Sequence, residues 1–312
     1  MLRAVRSGHV HEWAAEIVAD EPLARRLIAS QFPEVTLETV ELLGQGWDNT
    51  VYLVDGRWVF RFPRREVAVP AIERQLRVLP QLAPMLPLPV PDPVFAGWPN
   101  DGFPWPFMGA PHLPGAEVAV ASPEDSQRAG LARPLGSFLR TLHDPALLAL
   151  DGVAELPVDP WGRADMERRG SMLRARIGEL EAAGLWRAPP VVAGLIEEAE
   201  ALPPPKALAV VHGDLHIRHV LVEGGEASGV IDWDDLCRAD PAIDLVLLWA
   251  ILPSDARADF LDAYGPVDEA QLLRARILAL FLCGTLAVYG RQEARPALER
   301  GALAGLERTL LG

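Results

Sequence analysis

Ten prolines fall within the 31 residues from Pro84 to Pro114. Each removes a backbone donor and clashes with the turn before it, so no long helix crosses this stretch and the spacing predicts an extended, turn-rich connector. The chain of 312 residues is long enough for two cores. The connector separates a strand-bearing front from a helix-rich back, with the expected division at 1–108 and 109–312.

In the front part, Thr50 to Phe62 reads TVYLVDGRWVFRF, two runs rich in β-branched and aromatic residues joined by Asp55-Gly56. Both turn positions must tolerate positive φ, and Asp-Gly meets that demand, so the segment predicts a hairpin. Ahead of it the first thirty residues carry helical spacing, with Asp20 placed to cap a new helix and Pro22 in its first turn. Behind it Ile72, Leu76, Leu79 and Ala83 share one face of a helix expected to start near Glu66, which points Gln75 inward and sets Glu73 on the flank.

The back part predicts mainly helices. Ser122 reads as a cap, with Pro123 in the first turn, an apolar stripe of Leu131, Leu135, Phe138 and Leu142, and Pro134 set to kink it. Further helical patterns run over 166–183, 191–202, 240–252, 270–289 and 294–310. One island of strand character interrupts them at 207–211, 220–222 and 229–231, with Glu223-Gly224-Gly225-Glu226 as a turn. A small sheet in a helical domain, with polar loops at its edges, is a rigid support for a catalytic site.

Composition narrows the function classes. Half the residues are apolar and 23% charged, which excludes long disorder and a small disulfide scaffold. The 29 basic and 43 acidic residues leave a net charge of −14, which opposes docking on nucleic acid or anionic lipid and suits a cationic small molecule. Lys206 is the single lysine. Cys237 and Cys283 lie far apart without metal-ligand spacing, and the N-terminus carries charge where an export signal is apolar, so a reduced, cytoplasmic setting is expected. The longest uncharged stretch free of proline, Ile277–Gly290, has 14 residues against the ~20 of a membrane span, and predicts a buried helix instead.

Chemistry concentrates around the strand island. His212-Gly213-Asp214-Leu215-His216-Ile217-Arg218-His219 follows its first strand and Asp232-Trp233-Asp234-Asp235 its third. From Asp214 through Asp244, eight acids stand against two arginines. Mg2+ takes oxygen ligands from one or two carboxylates and leaves its other positions to water and phosphates, so a magnesium-nucleotide site fits this crowding.

HGDLHIRHVLV, GVIDWDD and DPAID, in that order and preceded by GQGWDNTVYLVD and VFRFPR, resemble the aminoglycoside phosphotransferase family; His219 with DPAID is similar to its macrolide-phosphorylating branch. The resemblance covers most of the chain. It implies an α+β, two-lobed protein-kinase-like fold: an N-terminal antiparallel sheet lobe, a mainly helical C-terminal lobe, and nucleotide between them. The implied reaction moves the γ-phosphate of ATP or GTP, as its Mg2+ complex, to a hydroxyl of a small molecule. An aminoglycoside-like acceptor is the first reading, a macrolide or metabolite alcohol the second.

By the same resemblance Asp214 is the catalytic carboxylate and Asp232 the metal-binding aspartate. His219 falls where relatives carry asparagine as a second metal contact. Imidazole is a less natural Mg2+ ligand than a carbonyl oxygen, which leaves His219 open as metal ligand, contact to a metal-bound water, or loop support. Gly44, Gly46 and Asn49 correspond to the turn that covers the phosphates, and Gly109 to a hinge whose backbone meets the base. Arg61 stands where the family has lysine and Gln75 where it has glutamate, with Glu73 or Glu66 as substitutes. Arginine still offers a cation and paired hydrogen bonds, on a longer planar head. That departure keeps a catalytically silent nucleotide-binding module in view.

Plainer readings stand beside these. His212 and His216 suit ring hydrogen bonds that hold a loop. A zinc hydrolase built on His212, Asp214, His216 and His219 leaves IDWDD and the hairpin unexplained. Asp240 before Pro241 reads as a helix cap, Asp244 equally as a helix-dipole partner or a brace for the loop, and Asp234 and Asp235 as solvated or substrate-facing. The tryptophans are scattered, as core or cleft lining and not as a platform for nucleic acid.

Overall fold

The structure, a computed structural model, describes residues 15–46, 48–100, 102–205 and 208–311. The start of the expected N-terminal helix, Trp47 and Lys206 lie outside the described residues. The chain forms two compact units, one running through Leu76 and again over Asp92–His112, the other comprising Arg77–Pro91 and everything from Leu113.

The first unit holds an antiparallel sheet of β1 (Val40–Gln45), β2 (Asn49–Val54), β3 (Trp58–Pro63), β4 (Phe95–Gly97) and β5 (Phe107–Pro111), in the order β1-β2-β3-β5-β4. The β2–β3 hairpin forms as expected, with positive φ at both Asp55 and Gly56. Its loop also takes in Arg57, whose N–H donates to the Val54 carbonyl at 2.9 Å. Asp20 caps the helix Glu21–Gln31 by accepting from the Leu23 N–H at 2.9 Å.

The proline-rich segment is more ordered than a connector, because it supplies β4 and β5. Its prolines fall where a missing donor does no harm: Pro106 precedes β5 and Pro111 ends it, leaving Phe107 to Ala110 free to pair. Phenylalanines fill the space under the sheet. Phe60, Phe62, Phe103 and Phe107 are fully buried, and Phe62 stacks on Phe107 at 4.8 Å between centroids.

In the second unit the helix Glu269–Gln292 packs against Met166–Ala182 and Pro296–Leu310, while Ala132–Leu142 packs against Arg257–Tyr264. By length and composition Glu269–Gln292 could cross a membrane, yet 67% of its most apolar stretch is buried inside the protein. Ser122 does not cap the start of the next helix: it takes a left-handed conformation as the C-cap of Val118–Ala121. Glu124 caps Asp125–Gly130 instead, in a reciprocal box with Gln127. A new helix begins at Ala132, so Pro134 falls in a first turn, where no hydrogen bond is lost and no kink arises.

The strand island resolves into two small sheets rather than one. β6 (Ala116–Glu117), β8 (Val220–Glu223) and β9 (Glu226–Val230) form one, in the order β6-β8-β9; β7 (Ala209–Val211) pairs with β10 (Cys237–Ala239) in the other. β6 and β10 are too short to carry a recognisable pattern. The expected helix over 240–252 divides into a tight turn at Pro241–Ile243 and a helix at Val246–Ala250.

Candidate active site

The loop leaving β7 turns at Gly213, whose φ is +91° and where a Cβ would meet the Asp235 carbonyl oxygen at 2.3 Å. Only glycine fits. Asp244, fully buried, anchors this turn by accepting from the His212 N–H at 2.7 Å and the Gly213 N–H at 3.0 Å, with His143 Nε2 at 3.3 Å. Of its two sequence readings, the brace is the one observed. Burial pushes the Asp244 carboxyl up, but His143 and these N–H groups outweigh it and hold its pKa below the ordinary value. Asp240 caps the following turn, accepting from Ala242 N–H at 2.9 Å.

Both nitrogens of His212 are committed, Nε2 donating to the Ile231 carbonyl at 2.9 Å and Nδ1 accepting from the Asp214 N–H at 3.3 Å. Burial brings its pKa down to about 4, so it is neutral and holds the loop. His216 likewise accepts at Nδ1 from the Arg218 N–H at 3.3 Å, and burial holds it well below its usual pKa. Its Nε2 lies 3.6 Å from Asp214 Oδ2.

Asp214 is therefore held by the backbone on either side of it, and burial pushes its carboxyl up to about 6. Arg163 Nη2 lies 3.3 Å from its Oδ1 and donates to Asp235 Oδ2 at 2.6 Å. Asp235 also accepts from Trp161 Nε1 at 2.9 Å, so it is paired and not simply solvated.

His219 meets acceptors at both ends: Nδ1 donates to the Asp214 carbonyl at 2.7 Å, and Nε2 lies 3.2 Å from Asp232 Oδ2. Burial opposes its charge, but the Asp232 carboxylate outweighs that and raises its pKa. With both ring nitrogens facing oxygen atoms, it bridges the Asp214 backbone and the Asp232 carboxylate. Asp232 itself stands at a left-handed turn, φ +68°, with its carboxylate 41% exposed. Asp214, His216 and His219 bring one ligand atom each within 4.8 Å, while His212 is not part of that group.

A cavity of about 300 Å3 opens beside Gly213 and Asp214. Its walls are Arg163, Arg168 and Arg169 with Met172, Leu278 and Phe281 among the apolar residues. The net charge of −14 does not carry into it: its lining holds three arginines and one carboxylate, Asp214. Sequence reasoning missed Trp161, Arg163 and Arg169, because nothing local links positions near 163 to Asp214.

In the first unit, Gly44, Val51, Arg61 and Met108 are cross-strand partners in one row over β1, β2, β3 and β5. Gly44 has open space where a side chain would project, and at Gly46 a Cβ would make an ordinary contact with the Asn49 carbonyl oxygen at 3.9 Å. Arg64 Nη1 donates to the Gly46 carbonyl, and Arg65 pairs with Asp48, so the turn between β1 and β2 is tied to the end of β3. Asn49 is buried at the start of β2. Gly109 pairs with Phe60 on one side and Phe95 on the other, and a Cβ there would strike the Phe60 ring at 2.5 Å. Aromatic packing accounts for that glycine. Gln75 is fully buried as expected, donating to the Ala71 carbonyl at 3.2 Å, whereas Glu66 and Glu73 are exposed.

The helical unit thus carries an aspartate on a braced loop ahead of a second aspartate at a left-handed turn. Among solved structures, the GDP and kanamycin complex of APH(2")-IIia superposes with a TM-score of 0.65 at 22% identity, over 92% of this chain and 97% of that one. The macrolide 2'-phosphotransferase MphH from Brachybacterium faecium gives 0.60 at 25% identity, over 92% and 98%. The sequence model of the Phosphotransferase enzyme family matches residues 39–278, and the chain belongs to that family. Its fold is the protein-kinase-like one of these structures. A curated relative, the uncharacterized protein YcbJ of Bacillus subtilis (strain 168), is 39% identical over 57 residues, 18% of this chain; the match spans about a fifth of that protein's length, 19%.

Proposed function

We propose that this protein transfers the γ-phosphoryl group of ATP or GTP to an alcohol group of a small molecule held in the cavity beside Asp214. The observation that carries the reading is the placement of Asp214: a braced carboxylate at the wall of a cavity of about 300 Å3, with its backbone fixed through His212 and His219. In the reaction the acceptor oxygen forms a bond to the γ-phosphorus while the bond to the β–γ bridging oxygen breaks. The nucleoside diphosphate leaves, and the hydroxyl proton passes to the Asp214 carboxylate.

Mg2+ suits part of the donor set. Asp232 offers an accessible carboxylate oxygen, the ligand a hard cation prefers, whereas His219 is engaged at both nitrogens. Asp232 would hold the ion and His219 would orient Asp232. When bound, the ion neutralises charge on the phosphate oxygens. In the first unit the phosphate side of the reading rests on the turn bearing Gly44, Gly46 and Asn49, on Arg61, and on the β5 backbone at Gly109 for the base. Arg61 and Gln75 stand in for the usual lysine and glutamate.

Apolar cavity walls and guanidinium groups favour the metabolite-alcohol acceptor over the aminoglycoside-like one. Two free, buried thiols suit a reducing, cytoplasmic compartment. The test is Asp214→Asn: turnover falls by roughly 10²-fold or more while nucleotide affinity, measured by calorimetry, changes little. Equal turnover in the variant removes Asp214 from the role.

A further inference from the structure

Three arginines line the cavity beside Asp214, and two of them are occupied. Arg163 bonds Asp235 and faces Asp214, while the exposed Arg168 donates to the Trp161 carbonyl at 3.0 Å. Arg169 differs. It is 5% exposed, and among the described residues it makes no ion pair and no side-chain hydrogen bond; its Nε is buried without a partner. Its guanidinium lies over the Phe281 ring at 4.5 Å.

The carboxylates near it are spent on backbone groups. Asp159 accepts from the N–H groups of Arg163 at 2.7 Å and Ala164 at 2.9 Å, and Asp165 from that of Arg168 at 3.1 Å. Burial, helped by the charges of Arg163 and Arg168, outweighs the Asp159 and Asp165 carboxylates and lowers the Arg169 pKa to about 10. A buried guanidinium that no carboxylate bonds directly is costly, and a planar fork of donors at a cavity wall matches a carboxylate or phosphate. The remaining wall, with Met172, Leu278, Phe281 and Leu282, is apolar. A polycation would meet three like charges there, and its one carboxylate, Asp214, already faces Arg163.

We propose that the acceptor is an alcohol carrying an anionic group on an apolar body, and that Arg169 binds the anion while the hydroxyl lies toward Asp214. This rests on the phosphotransferase reading above, and it sets the acceptor apart from a polyamine sugar.

Three probes that share one body separate the cases: 4-(hydroxymethyl)benzoate, its amide, and 4-(hydroxymethyl)benzylamine. Each is measured for binding to the full chain by calorimetry and for phosphorylated product with ATP or GTP and Mg2+, with kanamycin alongside. The carboxylate is expected to bind about tenfold or more tighter than the amide, with the amine weakest, and Arg169→Gln is expected to erase the carboxylate preference while Arg169→Lys keeps part of it. Equal binding of the three, or a preference for the amine or kanamycin, overturns the proposal, and that comparison needs no variant. If Arg169→Gln does not fold, Arg168→Gln is measured in its place: preference retained there, with Arg169→Lys still reduced, keeps the assignment to Arg169, and preference lost only in Arg168→Gln overturns it. Carboxylate-selective binding without product from any probe leaves the anion site standing and counts against the transferase reading itself.

Discussion

Asp244 illustrates how one residue sets up another's chemistry. It does not line the cavity beside Asp214, yet it holds the N–H groups of the two residues that precede Asp214. Replacing it with Asn puts an N–H donor against one of those N–H groups inside the core, and is expected to cost about 3 kcal/mol. The folded pKa of Asp244 lies below the unfolded value of about 3.9, so its contribution is complete above that pH and is lost as pH falls through the folded pKa. Urea unfolding of both proteins between pH 3 and 6 checks this: the gap narrows on the acid side, and a gap independent of pH contradicts it. The sequence left Asp244 divided between helix-dipole partner and brace because His143, its third partner, is 101 residues away. Distance hid Arg163 and Arg169 in the same way, whereas Asp214 was legible from its local motif.

At the scale of elements, the turn at Gly213 and the two short sheets hold the site. Gly213→Ala combines a forbidden φ with a clash on the Asp235 carbonyl, and is expected to lose about 1–3 kcal/mol and to displace Asp214. Denaturant midpoints together with turnover check it; an unchanged midpoint and rate would show that the turn has room. Elements with strong local chemistry were readable, the Asp55-Gly56 hairpin and the Asp20 cap above all. Those formed by tertiary pairing were not. β6 has two residues and β10 three, and β4 and β5 lie among prolines whose density suggested a connector. In each case the partner strand, not the segment's own sequence, selects the conformation.

For the whole molecule, two separate cores carry the fold. Phe62 is fully buried against Phe103 and Phe107, and Phe62→Ala is expected to cost about 3–5 kcal/mol, read from the unfolding midpoint. Cys237 and Cys283 are free and buried, with burial pushing both thiols up to about 12. Ellman's reagent is therefore expected to find no thiol in the native protein and two after denaturation. Net charge and local lining point in different directions: a sum over 312 residues does not describe a cavity whose walls gather three arginines. The central claim is the transfer itself. Mass spectrometry of small alcohols incubated with the protein, Mg2+ and ATP or GTP tests it most directly. A product that gains one phosphoryl group, and whose yield collapses in Asp214→Asn, is the predicted result; nucleotide binding with no phosphorylated product from anionic, neutral or cationic alcohols would contradict it and leave a silent nucleotide-binding module.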